Sequence, residues 1–95
     1  MHDECLRAWI LERISQLDPA AWRGALVAVR DLRRSPALVG VSRDAFDQAV
    51  LELGRQGRVA LHRHDWPQSL TPEERYELVT DGQGTYYIGI ALRQG

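Results

Sequence analysis

Ninety-five residues, 44% of them hydrophobic, make one folding unit with a modest core and exclude a disordered chain. A single cysteine cannot close an internal disulfide, which fits a reducing compartment. No stretch approaches the ~20 apolar residues of a membrane span, and Met1-His2-Asp3-Glu4 lacks the basic and apolar regions of a secretory leader, so a cytoplasmic location is expected.

A net charge of −1 excludes a surface built wholly for nucleic acid. The distribution is less even. Between Trp22 and His64 stand eight arginines against four acids, Asp31, Asp44, Asp47 and Glu52. All twelve basic residues, counting Lys and Arg together, are arginines. A locally basic middle on a near-neutral chain is consistent with one charged binding face.

In chain order, Leu6, Trp9, Ile10, Ile14 and Leu17 form one helical stripe and predict a helix over 3–17, with Asp3 and Glu4 in its first turn. Asp18-Pro19 ends it and can start another, Asp18 as cap and Pro19 at the first helical position. Residues 19–34 allow two readings. Trp22, Leu26, Val29 and Leu32 keep helical spacing, whereas Gly24 and the run Leu26-Val27-Ala28-Val29 permit a break and a short strand. The favoured reading is a helical turn near 19–23, a strand near 26–28 and a second helix near 29–37, its end disturbed by Pro36.

Ser42 is a good N-cap for a helix over 43–55, whose apolar stripe is Ala45, Phe46, Ala49, Val50 and Leu53. Gly54 and Gly57 are candidate terminators, and Gly57 suits the role better. Residues 58–64 alternate as a strand. So do residues 85–92, with Tyr86, Ile88, Ile90 and Leu92 on one face. The connection between these strands, about twenty residues, is long enough to hold structure of its own. Thr71, Pro72 and Glu74 make a capping box there, which predicts a short helix near 72–79 with Tyr76 or Val79 turned inward. Asp81-Gly82-Gln83-Gly84 reads as a turn into the last strand. The chain shows no repeat, low-complexity tract or linker.

Helix, short strand, helix, turn, helix, strand, loop, strand is an order that resembles the winged helix-turn-helix superfamily over roughly residues 3–92. The portion that carries the resemblance is Val29-Arg30-Asp31-Leu32-Arg33, then Val41 to Leu53, then Gly57-Arg58-Val59-Ala60-Leu61. The resemblance implies an α+β fold across residues 1–95: a three-helix core with a β-hairpin wing, here carrying a long, partly helical loop. It also implies that the third helix enters the major groove of duplex DNA while the wing touches the backbone, as in a transcriptional regulator, with a homodimer on two half-sites as one arrangement. On that implication the nucleic-acid face comprises Arg30, Arg33, Arg34, Ser42, Arg43, Gln48, Arg55, Arg58, His62 and Arg63.

Asp44 and Asp47 fall on the solvent side of the same helix, where carboxylates repel phosphates. They motivate a second reading, a winged helix that binds protein as a subunit or adaptor of a larger complex, with Trp66 and Tyr87 as partner contacts. Tyr86 and Tyr87 point to opposite faces, so one belongs to the core. Trp66 is read either as cover for the sheet edge, the favoured reading in a small domain, or as a partner anchor. Trp9 and Trp22 fit core positions, and Cys5 reads as a small buried hydrophobe rather than a nucleophile.

His62, His64 and Asp65 fall short of the four ligands that zinc takes. No phosphate loop, nucleophile–base set or carboxylate pair stands out. Neither a metal, a cofactor nor an enzymatic activity is therefore expected.

Overall fold

The computed structural model describes residues 3–35 and 40–93. Among them are four α-helices, α1 (Asp3–Leu17), α2 (Val29–Arg33), α3 (Arg43–Arg55) and α4 (Pro72–Tyr76), with 310 turns at Pro19–Arg23 and Pro67–Ser69. Four strands, β1 (Val27–Ala28), β2 (Val59–Arg63), β3 (Val79–Thr80) and β4 (Tyr86–Leu92), form one antiparallel sheet. The fold is α+β. β4 is central, with β2 along one side and β1 and β3 on the other, so that Tyr87 lies between Arg63 and Val79.

Three of the helical segments are bounded by a local chemical signal. Asp18 accepts from the Ala20 amide (2.9 Å) at the start of the first 310 turn, and Ser42 Oγ accepts from the Ala45 amide (3.1 Å) at the start of α3. α3 ends in a Schellman arrangement: the Arg58 amide donates to the Leu53 carbonyl and the Gly57 amide to the Gly54 carbonyl, at 3.0 and 3.1 Å. Gly57 takes the left-handed conformation (φ 73°) this requires. Gly54 stays inside the helix, where a Cβ would come within 3.0 Å of Leu61 Cδ1, so its hydrogen lets the end of α3 close onto β2. The capping box of α4 is complete: the Glu74 amide donates to Thr71 Oγ1 and the Thr71 amide to Glu74 Oε1, each 3.1 Å.

The apolar stripes meet in one cluster. Leu6, Ile10 and Ile14 of α1, Val29 and Leu32 of α2, and Phe46, Val50 and Leu53 of α3 pack against Val27, Val59, Val79, Ile90 and Leu92 of the sheet. Each such side chain contributes about 1.5–3 kcal/mol by leaving water.

Several expectations require correction. Trp22 is 47% exposed and Ala21 is buried in its place. The favoured break itself holds: Gly24, at φ 93°, ends the 310 turn, so Trp22, Leu26 and Val29 do not share a continuous helix. Leu26 is exposed for the same reason, and Ala45 and Cys5 are also exposed. α2 ends at Arg33, short of the expected 37, and residues 36–39 lie outside the described residues.

The helix expected to 79 stops at Tyr76. The β-branched pair Val79-Thr80 instead opens a hairpin with Tyr87 and Tyr86. That hairpin is closed by Thr80 Oγ1, which donates to the Thr85 carbonyl (3.0 Å), and by Asp81 Oδ1, which accepts from the Gln83 amide (2.8 Å).

The alternation of β4 also breaks. His62 pairs with Gly89 and Arg63 with Tyr87, which leaves Ile88 as the extra residue of a β-bulge. The bulge resets the side-chain parity. Ile88 emerges 40% exposed, and Tyr87 packs against the core cluster.

Candidate interaction surfaces

The first side chain to decide the character of the α3 surface is Asp47. It follows Phe46 on α3 and is 3% exposed, not on the solvent side as its spacing suggested. A buried carboxylate demands partners. Arg33 Nη2 donates to its Oδ1 at 2.5 Å, and Arg43, one helical turn earlier, brings Nη1 to 3.6 Å from its Oδ2.

The remaining donors of these two guanidinium groups reach the C-terminal end of α4. Arg33 donates to the carbonyls of Glu77 (3.1 Å) and Leu78 (3.2 Å), and Arg43 to those of Tyr76 (2.8 Å) and Leu78 (3.2 Å). A helix leaves its last carbonyls without intrahelical donors, and here two planar cations satisfy three consecutive ones. The Arg33 guanidinium lies 4.6 Å from the centroid of Phe46 and that of Arg43 4.4 Å from the centroid of Tyr76, both within cation–π range. Arg34 adds a bidentate pair to Glu77, at 2.7 and 2.8 Å. Three of the arginines expected to meet phosphate thus fasten α4 to α2 and α3.

The other expected nucleic-acid residues do not form one face with them. Ser42 is engaged as the α3 cap. Gln48 and Arg55 line a shallow depression with Arg7, Asp44 and Glu52, where Arg55 is paired to Glu52 at 3.0 Å. Arg30, 4.0 Å from Asp31, borders a different groove. Arg58, His62 and Arg63 are exposed on and beside β2, and neither arginine has a carboxylate within 4.0 Å among the described residues.

The groove beside Arg30 has a volume of about 280 Å3 and is floored by Ala28, Leu70, Leu78 and Ile88, with Glu74 and Glu77 at its rim. It lies on the outer side of the sheet. Ala28 pairs with Gly89, and a Cβ on Gly89 would touch Leu26 at 3.4 Å and His62 at 3.5 Å. Leu26, Ala28, Gly89 and Ile88 therefore form an apolar strip that is open to solvent on a glycine-flattened strand, with Leu26 46% and Ile88 40% exposed. Glu74 is held ionised below the ordinary carboxylate range, first by the Thr71 backbone amide and then by the Thr71 hydroxyl.

Of the two partner-contact candidates, Trp66 is 67% exposed, against the favoured reading of intramolecular cover. Its amide donates to His64 Nδ1 (3.1 Å), and Ser69 Oγ donates to its carbonyl (2.7 Å), which fix the main chain and leave the ring free. Tyr87 packs against the core, as the bulge requires. Strand alternation places Ile88 on the core face, helical spacing fits Leu26 only in the disfavoured continuous-helix reading, and of the alternatives Tyr76 and Val79 it is Val79 that turns inward while Tyr76 is 63% exposed.

Among the described residues no group of three or more His, Cys, Asp or Glu is placed to hold a metal, and no helix is long and apolar enough to cross a membrane. No family model, curated protein or solved structure matches the chain.

Proposed function

We propose that the chain is a winged-helix-like module that binds a protein partner, acting as a subunit or adaptor rather than as a reader of DNA. The strand order β1–β4–β2 supports the winged-helix part of the reading, with α2 and α3 before β2 and an elaborated connection between β2 and β4 as the wing. The observation that carries the choice of partner is the engagement of Arg33 and Arg43 by buried Asp47 and by the carbonyls of residues 76–78. Cations fixed in this way are not available to displace counterions from a duplex. The solvent side of α3 that remains, with Asp44, Gln48, Glu52 and Arg55, is acidic to neutral.

Large apolar side chains stand exposed elsewhere, in Leu26, Ile88, Trp66 and Tyr76, and exposed apolar and aromatic groups of this kind mark protein contacts. Selection of a displayed peptide library against the immobilised protein tests the reading. Enriched peptides should carry apolar anchors and lose binding to Leu26→Asp and Ile88→Asp variants, both at exposed positions. Failure to enrich any peptide, or binding indifferent to both substitutions, overturns it.

The exposed Arg58, His62 and Arg63 favour a second reading, backbone contact with duplex DNA through the β2 side of the wing. A duplex titration at low and moderate salt separates the two. Saturable micromolar binding that weakens steeply with salt supports DNA, and absence of binding at low salt excludes it.

A further inference from the structure

Three separate segments build the groove above Leu78 and Ile88. β1 and β4 supply Ala28 and Ile88, Leu70 and Leu78 come from just before and just after α4, and Arg30 enters from the first turn of α2. Leu78 is 5% exposed and Ile88 40%, so the floor grades from core to solvent. At about 280 Å3 the groove falls below the range common for small-molecule pockets, about 300–1,000 Å3. Its exposed side suits the inserted side chains of a larger partner better than an enclosed ligand.

The charges on its walls are not equivalent. Both oxygens of Glu77 already accept from Arg34, at 2.7 and 2.8 Å. Glu74 uses Oε1 for the Thr71 amide, and no arginine or histidine nitrogen lies within 4.0 Å of its carboxylate among the described residues. Its carboxyl is held ionised by the Thr71 amide and hydroxyl first, and then by the more distant charges of His64 and Arg30. Arg30 has one carboxylate within 4.0 Å among the described residues, that of Asp31 at 4.0 Å, and both side chains are mostly exposed. Such a contact contributes little. An available anion on the α4 wall and an available cation on the α2 wall therefore share an apolar floor without meeting each other.

This pattern discriminates between occupants. A nucleic-acid backbone brings phosphates against Glu74 and Glu77, and like charges brought together across an interface are costly. A second copy of the chain offers the same patch in a two-fold contact, and two concave faces leave each floor unfilled.

Resting on the protein-binding reading above, we infer that this groove takes a short partner segment whose aliphatic side chains are flanked by a basic residue at one end and an acidic residue at the other. The aliphatic side chains cover Ala28, Leu70, Leu78 and Ile88, the basic residue meets Glu74 and the acidic one Arg30. Burial of apolar surface gives affinity, and the two unlike charges give selectivity.

The test is titration of the whole chain with three capped peptides that share two leucines in a serine–glycine background. One carries lysine and glutamate at its two ends, one lysine at both, and one glutamate at both. The mixed peptide should bind about two- to fivefold more tightly than either of the others and should shift the amide resonances of Leu70, Leu78 and Ile88. Glu74→Gln, which keeps the α4 capping box, should abolish its advantage over the glutamate peptide alone. Arg30→Gln should abolish its advantage over the lysine peptide alone, and Arg30→Glu should make the lysine peptide the tightest of the three. Ile88→Asp should weaken all three at least about tenfold.

Equal binding of the three peptides overturns the inference, as does a preference that neither wall substitution alters. Concentration-dependent dimerisation that shifts the same resonances assigns the groove to a second copy and also overturns it. If none of the three binds while the displayed library still yields ligands sensitive to Leu26→Asp, the charge-flanked segment is excluded and the protein-binding reading stands. Failure of both the three peptides and the library defeats both.

Discussion

The arginines around α4 and those along β2 are the same residue type with opposite fates. Arg33 and Arg43 are drawn in by a carboxylate buried beneath them and by the carbonyls at the end of α4, and their surroundings include the rings of Phe46 and Tyr76. Arg58 and Arg63 have no carboxylate within 4.0 Å among the described residues. A count of positive charge along the chain makes both groups equal candidates for a binding face. The difference lies in what the fold brings opposite them: a helix end in one case, solvent in the other.

If this contrast is right, the fastened side carries stability and the open side does not. The largest effect is expected at Asp47. Asp47→Ala strands two guanidinium groups against the core, and breaking a buried pair by removing one partner costs about 3–5 kcal/mol. In a domain of this size that lowers Tm by more than ~12 °C in a thermal melt. A loss below ~1 kcal/mol would mean that the arginines are in effect solvated, and the contrast would collapse.

Thr71→Ala should cost about 1 kcal/mol through loss of the α4 cap, read as a lower urea midpoint with unchanged slope. Arg34→Ala should cost less than ~1 kcal/mol despite the two short bonds to Glu77, because its side chain is 63% exposed and the pair is screened. Trp66→Ala, on the open side, should change stability by no more than ~0.5 kcal/mol in the same denaturation experiment while weakening peptide binding.

The smallest effect is that of pH on α4. The folded-state pKa of Glu74 lies below its ordinary value of 4.5 because Thr71 donates to the carboxylate. The stabilisation is therefore present above that ordinary value and is lost as pH falls through the lowered folded one. The Thr71 amide resonance should move only in that acidic range and stay constant through neutrality.

Several elements were legible from short-range chemistry. The Ser42 cap, the Thr71–Glu74 box, the Gly57 terminator and the strand after it each depend on residues within a few positions of one another. Most of the core stripes of α1 and α3 followed from helical spacing, with Leu17 and Ala45 as exposed exceptions. The site was less legible. Arg33 and the carbonyls it binds are separated by 44 and 45 positions, and Arg34 and Glu77 by 43. Only the Arg43–Asp47 pair, at i and i+4, left a local trace. Ile88 was misplaced because a bulge is a property of two strands in register, not of one strand's alternation.

The chain by itself determined most of the element starts and turns, since caps, turn residues and apolar periodicity act over one or two turns of backbone. Tertiary structure decided which charges remained available to a partner. Whether a cation stays solvated depends on a carboxylate or an orphan carbonyl arriving from a distant segment, and at close range in a poorly hydrated site that encounter outweighs anything the neighbouring residues encode.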